Sequence, residues 1–141
     1  EIKVVLHIDN KDIQPDFFNK LPQEGLMEAL EYYEVKHPQI VYAQAVLETG
    51  HFKSNVCLNY NNLFGLYDSK NKDYYKFNHW AESIVAYKEW IQKKYQPPNN
   101  YYVFLEEINY AEEKSYIRLL KEIVKNRKDD KRGYTERNSF T

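Results

Sequence analysis

Residues 44–66 read QAVLETGHFKSNVCLNYNNLFGL, and they contain the transition on which the fold depends. The stretch IVYAQAVL at 40–47 is apolar and compatible with a helix, and it leads to Glu48 and to a break at Gly50. A carboxyl group at a helix end, partly packed against apolar side chains, can have its pKa raised from about 4.3 toward about 6 and donate a proton near neutral pH. Glu48 is therefore a candidate catalytic acid. The alternative is a solvated surface acid, since charged residues make up 29% of the chain.

The composition predicts one folded domain. The chain has 141 residues, and its hydrophobic fraction of 43% and aromatic fraction of 16% exclude an intrinsically disordered protein. No apolar run approaches the ~20 residues of a membrane-spanning helix. The net charge of -1 lacks the basic excess expected of a nucleic-acid-binding protein. We therefore expect no membrane span and no nucleic-acid partner. A monomer is the expected oligomeric state.

The cysteine and histidine residues predict neither a disulfide nor a metal site. Cys57 is the only cysteine, and a lone Cys in CLNY is more often a small buried side chain than a reactive thiol. The four histidines fit no zinc-binding spacing such as HExxH, so no metal or other cofactor is expected; they are His7, His37, His51 and His79. The start EIKVVLHI lacks the pattern of a signal peptide, and the missing initiator Met leaves an export signal removed upstream as an open alternative.

Hydrophobic periodicity predicts a mostly α-helical protein. Apolar residues recur at helical spacing from Gln23 to His37, where Pro38 ends one helix and starts a second that runs to Thr49. A Trp-led stripe at 80–95 predicts a third strong helix that closes before Pro97 and Pro98. Shorter helical turns are predicted at 101–108, and an amphipathic helix at 115–127.

The helical period disappears between His51 and Trp80, which predicts an irregular lobe that forms a cleft. YYKFNHW at 74–80 is its best strand candidate, and residues 2–8 permit a short strand or an extended arm. The predicted organisation is an N-terminal arm at 1–22, a domain at 23–127 and a polar, mobile tail at 128–141.

Three stretches in order and register resemble one family. They are AQAVLETGHFKS at 43–54, NNLFG at 61–65 and NYAEEKSYIRLL at 109–120. Together they look like the glucosaminidase family, glycoside hydrolase family 73, and the resemblance spans roughly Gln23 to Arg127. It implies a lysozyme-like α+β fold, in which a helical lobe and a small irregular or β-containing lobe flank a cleft. It also implies cleavage of peptidoglycan glycan strands.

The resemblance assigns a role to Glu48 and to Tyr110. Glu48 would be the general acid that protonates the glycosidic oxygen, which is a poor leaving group without that proton. Tyr110 aligns with the Tyr-Ala pair of the family and would steady the substrate or the attacking water. The alternative is a core tyrosine whose hydroxyl finds one partner. YAEEKSY also departs from the Asp-Pro that often follows Tyr-Ala in the family, so the turn there is expected to differ in shape.

Five further residues are candidates for substrate binding. Asn61 and Asn62 carry amides that bond to sugar hydroxyl and acetamido groups, and a turn-forming role is the alternative, with at most one of the pair expected to touch substrate. Phe64, Tyr74 and Tyr75 offer flat faces for sugar rings. For Phe64 the sequence favours packing, whereas a subsite role is expected of Tyr74 or Tyr75.

Asp68 and Asp73 are the candidates for the second carboxylate. Both follow LFG, in the region where the family places an acidic residue. Hydrolysis with two carboxylates requires a partner at about 5 Å for retention or about 6.5 to 9.5 Å for inversion. Two alternatives stay open. In the first, each Asp is an exposed loop acid. In the second, the acetamido oxygen of the substrate is the nucleophile.

The sequence therefore predicts a hydrolase that cleaves the β-1,4 bond after N-acetylglucosamine in bacterial peptidoglycan, outside the cytoplasm. One rival is a lytic transglycosylase, which uses one Glu on a lysozyme-like fold and forms anhydro-muramic ends. The other is a noncatalytic module that binds cell-wall glycan.

Overall fold

A computed structural model of the chain describes residues 14–138. The strand or arm predicted at 2–8 lies outside the described residues. In chain order the elements are a 3-10 turn at Asp16–Asn19, α1 at Pro22–Tyr32, α2 at Pro38–Glu48, α3 at Asn55–Tyr60, β1 at Tyr67–Asp68, β2 at Asp73–Tyr74, α4 at Trp80–Trp90, a 3-10 turn at Gln92–Lys94, α5 at Tyr101–Glu107 and α6 at Tyr116–Asn138. The predicted class, mostly α-helical with a small β part, is confirmed.

The chain divides into two compact units, and the boundary lies between Gln96 and Pro97. In the first unit, α1 packs against the first 3-10 turn, α2 and α4. Its core is made of fully buried apolar side chains that include Phe17, Leu26, Leu30, Val41 and Ile84. The second unit contains α5 and α6, from which Tyr101, Phe104, Leu105, Tyr116 and Leu120 are buried.

Helix α2 has the start and the end that the sequence predicts. Pro38 occupies its first position, where the missing N–H costs no helical hydrogen bond. The helix ends at Glu48, and Gly50 then takes a left-handed conformation with φ +56°. The His51 N–H donates to the Val46 carbonyl at 2.9 Å, which closes the helix in a Schellman motif. Glu48 is thereby placed at the helix terminus.

Helix α1 ends at Tyr32, and the predicted extension to His37 is wrong. Glu34 takes φ +55°, and the Val35 N–H donates to the Leu30 carbonyl at 3.0 Å, so this helix also closes in a Schellman motif. No Gly marks the position in the sequence. Burial of Val35 against the core provides the apolar contact that accompanies this motif.

The irregular region contains a helix that the sequence does not predict. Helix α3 has six residues and begins after Ser54, whose hydroxyl accepts the Cys57 N–H at 3.1 Å. Asn61 ends it in a left-handed conformation with φ +54°. The strand predicted at 74–80 is also misplaced, because β1 and β2 form a two-stranded antiparallel hairpin and Tyr74 is the only residue common to prediction and strand.

The helices predicted at 80–95 and 115–127 differ from the structure at their C-terminal ends. Helix α4 starts at Trp80 as predicted, after His79 and Glu82 form a capping box, but it ends at Trp90 and gives way to the 3-10 turn before Tyr95. Helix α6 continues through most of the tail predicted to be mobile and is described as far as Asn138.

Candidate active site

Glu48 is the last residue of α2, and its side chain is half buried. The neighbouring Thr49 is 1% exposed and locks the helix end. Its hydroxyl donates to the Ala45 carbonyl at 2.6 Å and accepts the Phe52 N–H at 2.8 Å. The backbone that carries Glu48 is therefore held on both sides of the helix stop.

Gly65 brings the NNLFG loop against Glu48. A Cβ added at Gly65 would lie 2.9 Å from Glu48 Oε2 and 3.6 Å from its Cδ, so the loop backbone meets the carboxyl directly. Gly65 also takes φ +63°, a conformation that favours glycine. Two of the three stretches that carry the family resemblance thus meet at one carboxyl group.

Asn62 holds this loop in place. The side chain is 1% exposed. Its Oδ1 accepts the N–H groups of Phe64 at 3.3 Å and of Leu66 at 3.1 Å, and its Nδ2 donates to the carbonyls of Leu66 at 2.9 Å and of Tyr75 at 3.0 Å. Both N–H groups and the carbonyl oxygen of the Asn62 amide are thus engaged in hydrogen bonds within the protein. The amide thus has an internal structural role, and the substrate contact considered for Asn62 stays a prediction.

Phe64 is 1% exposed and packs with its ring centroid 4.6 Å from that of Tyr87. The Tyr87 hydroxyl donates to the side-chain oxygen of Gln44, which is fully buried one turn before Glu48. Phe64 thus supports the loop from within the core, in agreement with the packing favoured from the sequence and not with a substrate contact.

Asn61 is half buried, and its Nδ2 donates to the Phe77 carbonyl at 3.0 Å.

Asp68 shapes the turn of the hairpin. Its Oδ1 accepts the N–H groups of Lys70 at 3.1 Å and of Asn71 at 3.3 Å, and its Oδ2 accepts the Asn71 side-chain amide at 2.6 Å. This is an Asx-type turn, in which the carboxylate takes the place of a backbone acceptor. Both carboxylate oxygens of Asp68 thus take part in the turn.

Asp73 pairs with Asp68 across the hairpin and has a different environment. Its Oδ1 accepts the Tyr74 N–H at 2.8 Å. Its Oδ2 lies 3.4 Å from the Tyr60 hydroxyl and 3.8 Å from the Lys76 ammonium group, and the side chain is 47% exposed. Asp73 therefore presents a half-exposed carboxylate, with a hydroxyl and a cation as neighbours.

Tyr74 and Tyr75 project to opposite faces of the hairpin, as successive residues of an extended chain do. Tyr74 is exposed, and its ring lies against that of Tyr67 on β1. Tyr75 is half buried, with its ring centroid 4.7 Å from that of Trp90. Burial and the negative charge of Asp68 raise the pKa of the Tyr75 hydroxyl above its ordinary value. Tyr67 is not among the substrate-binding candidates predicted from the sequence, although it lies only two residues after Gly65.

Tyr110 lies in the second unit, between α5 and α6. Asn109 takes φ +58°, and the Tyr110 N–H donates to the Leu105 carbonyl at 3.0 Å, so the residue follows the Schellman motif that ends α5. Its half-buried ring stacks on Tyr116 with centroids 5.9 Å apart and planes at 23°. The role predicted for Tyr110 toward the substrate stays a prediction.

Cys57 is 3% exposed on α3, and burial raises the pKa of its thiol above the ordinary value. A neutral, enclosed thiol is a poor nucleophile. Within residues 14–130, whose side chains the structure describes, no three or more His, Cys, Asp or Glu side chains are grouped so that they could hold a metal ion. No helix in the same range has the length and apolar character needed to cross a membrane.

The chain is mostly helical and has a half-buried carboxyl group at a helix end that faces a loop glycine, an arrangement consistent with a lysozyme-like fold. Residues 23–129 match the Glucosaminidase family, described as mannosyl-glycoprotein endo-beta-N-acetylglucosaminidase. Because this match covers most of the chain, the protein belongs to the glucosaminidase family and is a glycoside hydrolase, as the resemblance implied. Comparison with curated proteins and with solved structures gave no match.

Proposed function

We propose that this enzyme cleaves the β-1,4 bond after N-acetylglucosamine in the glycan strands of bacterial peptidoglycan, with Glu48 as the general acid. The observation that carries the proposal is the contact between the Glu48 carboxyl and the backbone at Gly65. A carboxyl group that is half buried and held at a locked helix end has the restricted geometry that proton transfer to a leaving oxygen requires. Membership of the family supports a glycan as the substrate.

The other roles are proposed from the family resemblance and from the exposure of each side chain. Asn61, Tyr74 and Tyr75 are the exposed or half-buried candidates that line the substrate site, and Tyr110 steadies the substrate or the attacking water. Peptidoglycan lies outside the cytoplasm, so we place the enzyme in the periplasm, at the cell surface or in the medium. We expect it to act as a monomer.

Mass spectrometry of the products formed from purified peptidoglycan tests this function. New reducing ends on N-acetylglucosamine are the expected result. Anhydro-muramic ends would assign a lytic transglycosylase instead, because that reaction proceeds without water. Binding to cell walls without any released fragment would leave a glycan-binding module and overturn the proposal.

Asp73 is the second carboxylate that we propose as the base. Asp68 has both oxygens engaged in the hairpin turn, whereas Asp73 Oδ2 has only long contacts, 3.4 Å to the Tyr60 hydroxyl and 3.8 Å to Lys76 among the described residues. Asp73→Asn is expected to lower kcat by about 10²- to 10⁴-fold, the usual contribution of a general base. Asp68→Asn is the matched control on the facing strand and is expected to lower kcat by less than about 10-fold, because it changes the turn and not the base.

The measurement is the release of reducing ends by both variants at equal concentration, with thermal unfolding as the check on folding. A fully active Asp73→Asn variant would remove Asp73 from the mechanism. The acetamido oxygen of the substrate would then be the nucleophile, and peptidoglycan whose glucosamine is de-N-acetylated would not be cleaved.

A further inference from the structure

Two tyrosines form an exposed aromatic pair on the hairpin. Tyr67 and Tyr74 are partners in the register of β1 and β2, and their side chains are 51% and 42% exposed. The ring centroids lie 5.3 Å apart, with the planes inclined by 37°. Cross-strand partners project from the same face of a sheet, so the two rings together present one continuous apolar surface. Exposed aromatic surface of this kind marks a binding site more often than exposed single side chains do.

The pair lies close to the proposed acid along the chain. Gly65 meets the Glu48 carboxyl, and Tyr67 follows two residues later. Two residues of extended chain span at most about 7 Å. The Tyr67 backbone is therefore within that distance of the loop that faces the acid, and a tyrosine side chain extends the reach further.

The surroundings of the pair are polar. A cavity of about 820 Å³ lies along the hairpin and borders the pair at Tyr74, whereas Tyr67 is not among its lining residues. The lining also includes Tyr75 and carboxylate, hydroxyl, amide and ammonium groups, among them Asp68, Ser69, Asn71 and Lys76. Ligand sites commonly combine aromatic surface with a few polar groups that fix orientation. Sugars match this combination, since their ring faces carry C–H groups and their edges carry hydroxyl and acetamido groups.

We propose that Tyr67 and Tyr74 form a stacking platform for one N-acetylated sugar ring of the glycan strand, next to the bond that the enzyme cleaves. The platform deepens the function proposed above and rests on it. Tyr67 is then a determinant of substrate binding, and Tyr75, which packs against Trp90 on the other face, is not part of the platform.

Binding is measured in the Glu48→Gln background, so that it does not depend on turnover. The probes are insoluble purified peptidoglycan in a sedimentation assay and the soluble N-acetylglucosamine tetramer in calorimetry. Tyr67→Ala and Tyr74→Ala are each expected to weaken binding by roughly 3- to 10-fold, the loss that corresponds to one aromatic contact. Tyr67→Phe keeps the ring and is expected to bind within about 2-fold of the parent. In the active enzyme the same alanine variants are expected to raise KM and to leave kcat within about 2-fold.

Tyr32→Ala is the matched control, because Tyr32 is also a tyrosine of the first unit with a 53% exposed side chain. It is expected to bind both probes like the parent. The platform is overturned if the Tyr67→Ala and Tyr74→Ala variants bind like the parent, if Tyr67→Phe binds as weakly as Tyr67→Ala, or if the parent binds neither probe. Failure of the proposed function is a separate result, since a native protein that binds glycan and releases no fragment would leave the binding measurements intact.

Discussion

Glu48→Gln is expected to lower kcat on purified peptidoglycan by about 10²- to 10⁴-fold, the usual contribution of a general acid. The substitution keeps the shape of the side chain and removes the proton that the leaving oxygen requires. Binding of cell walls is expected to persist, because the amide retains the size and polarity of the acid. The rate of release of reducing ends, measured across a range of peptidoglycan concentrations, separates the loss of kcat from any change in KM.

Glu107→Gln is the matched control for this variant. Glu107 is also the last residue of a helix, α5, but its side chain is exposed. The control is expected to keep full activity. Glu48→Asp tests the geometry, because it keeps a carboxylic acid and shortens the side chain by one methylene. A displacement on the order of 1 Å can lower the rate by about 10²-fold. A Glu48→Gln enzyme with normal kcat would remove Glu48 from the reaction.

Gly65→Ala is expected to lower kcat by about 10²-fold, because the added methyl group would stand 2.9 Å from Glu48 Oε2 and force the carboxyl to move. The same substitution also costs about 1–2 kcal/mol of stability, since φ is +63°. Thermal unfolding measures the second effect, and the rate of release of reducing ends measures the first.

Gly50→Ala separates the two effects. Gly50 has φ +56°, close to that of Gly65, but a Cβ added there meets no atom within 4 Å. Both variants are expected to lose a similar free energy of unfolding. Only Gly65→Ala is expected to lower kcat, because only there does the added methyl group displace the Glu48 carboxyl. Equal kcat values for the two variants would contradict the importance of the contact between the loop and Glu48.

The part of the fold that the sequence predicts is the part with strong local signals. Helix α2 is predictable at both ends because Pro38 and Gly50 are residues whose backbone chemistry starts and stops a helix. The end of α1 is not, since Glu34 takes the left-handed position that a glycine usually marks. Helix α3 is not predicted because six residues do not establish a period, and its Asn, Val and Cys are modest helix formers.

The candidate site shows the same division. Glu48 and the NNLFG loop are recognisable from the sequence, but nothing in two adjacent asparagines distinguishes Asn61, which ends a helix, from Asn62, which is buried at the centre of a loop. Tertiary packing decides between them. The environments of Asp68 and Asp73 are likewise set by the hairpin register, which depends on pairing between residues and not on either aspartate alone.

The Asn62 amide has a mechanical consequence. It bonds the loop that faces Glu48 to the backbone of Tyr75 on the far side of the hairpin, so a load on the hairpin is transmitted to Gly65 through one rigid planar group. A displacement of the chain that follows β2 is therefore passed through this amide to the loop that faces the Glu48 carboxyl.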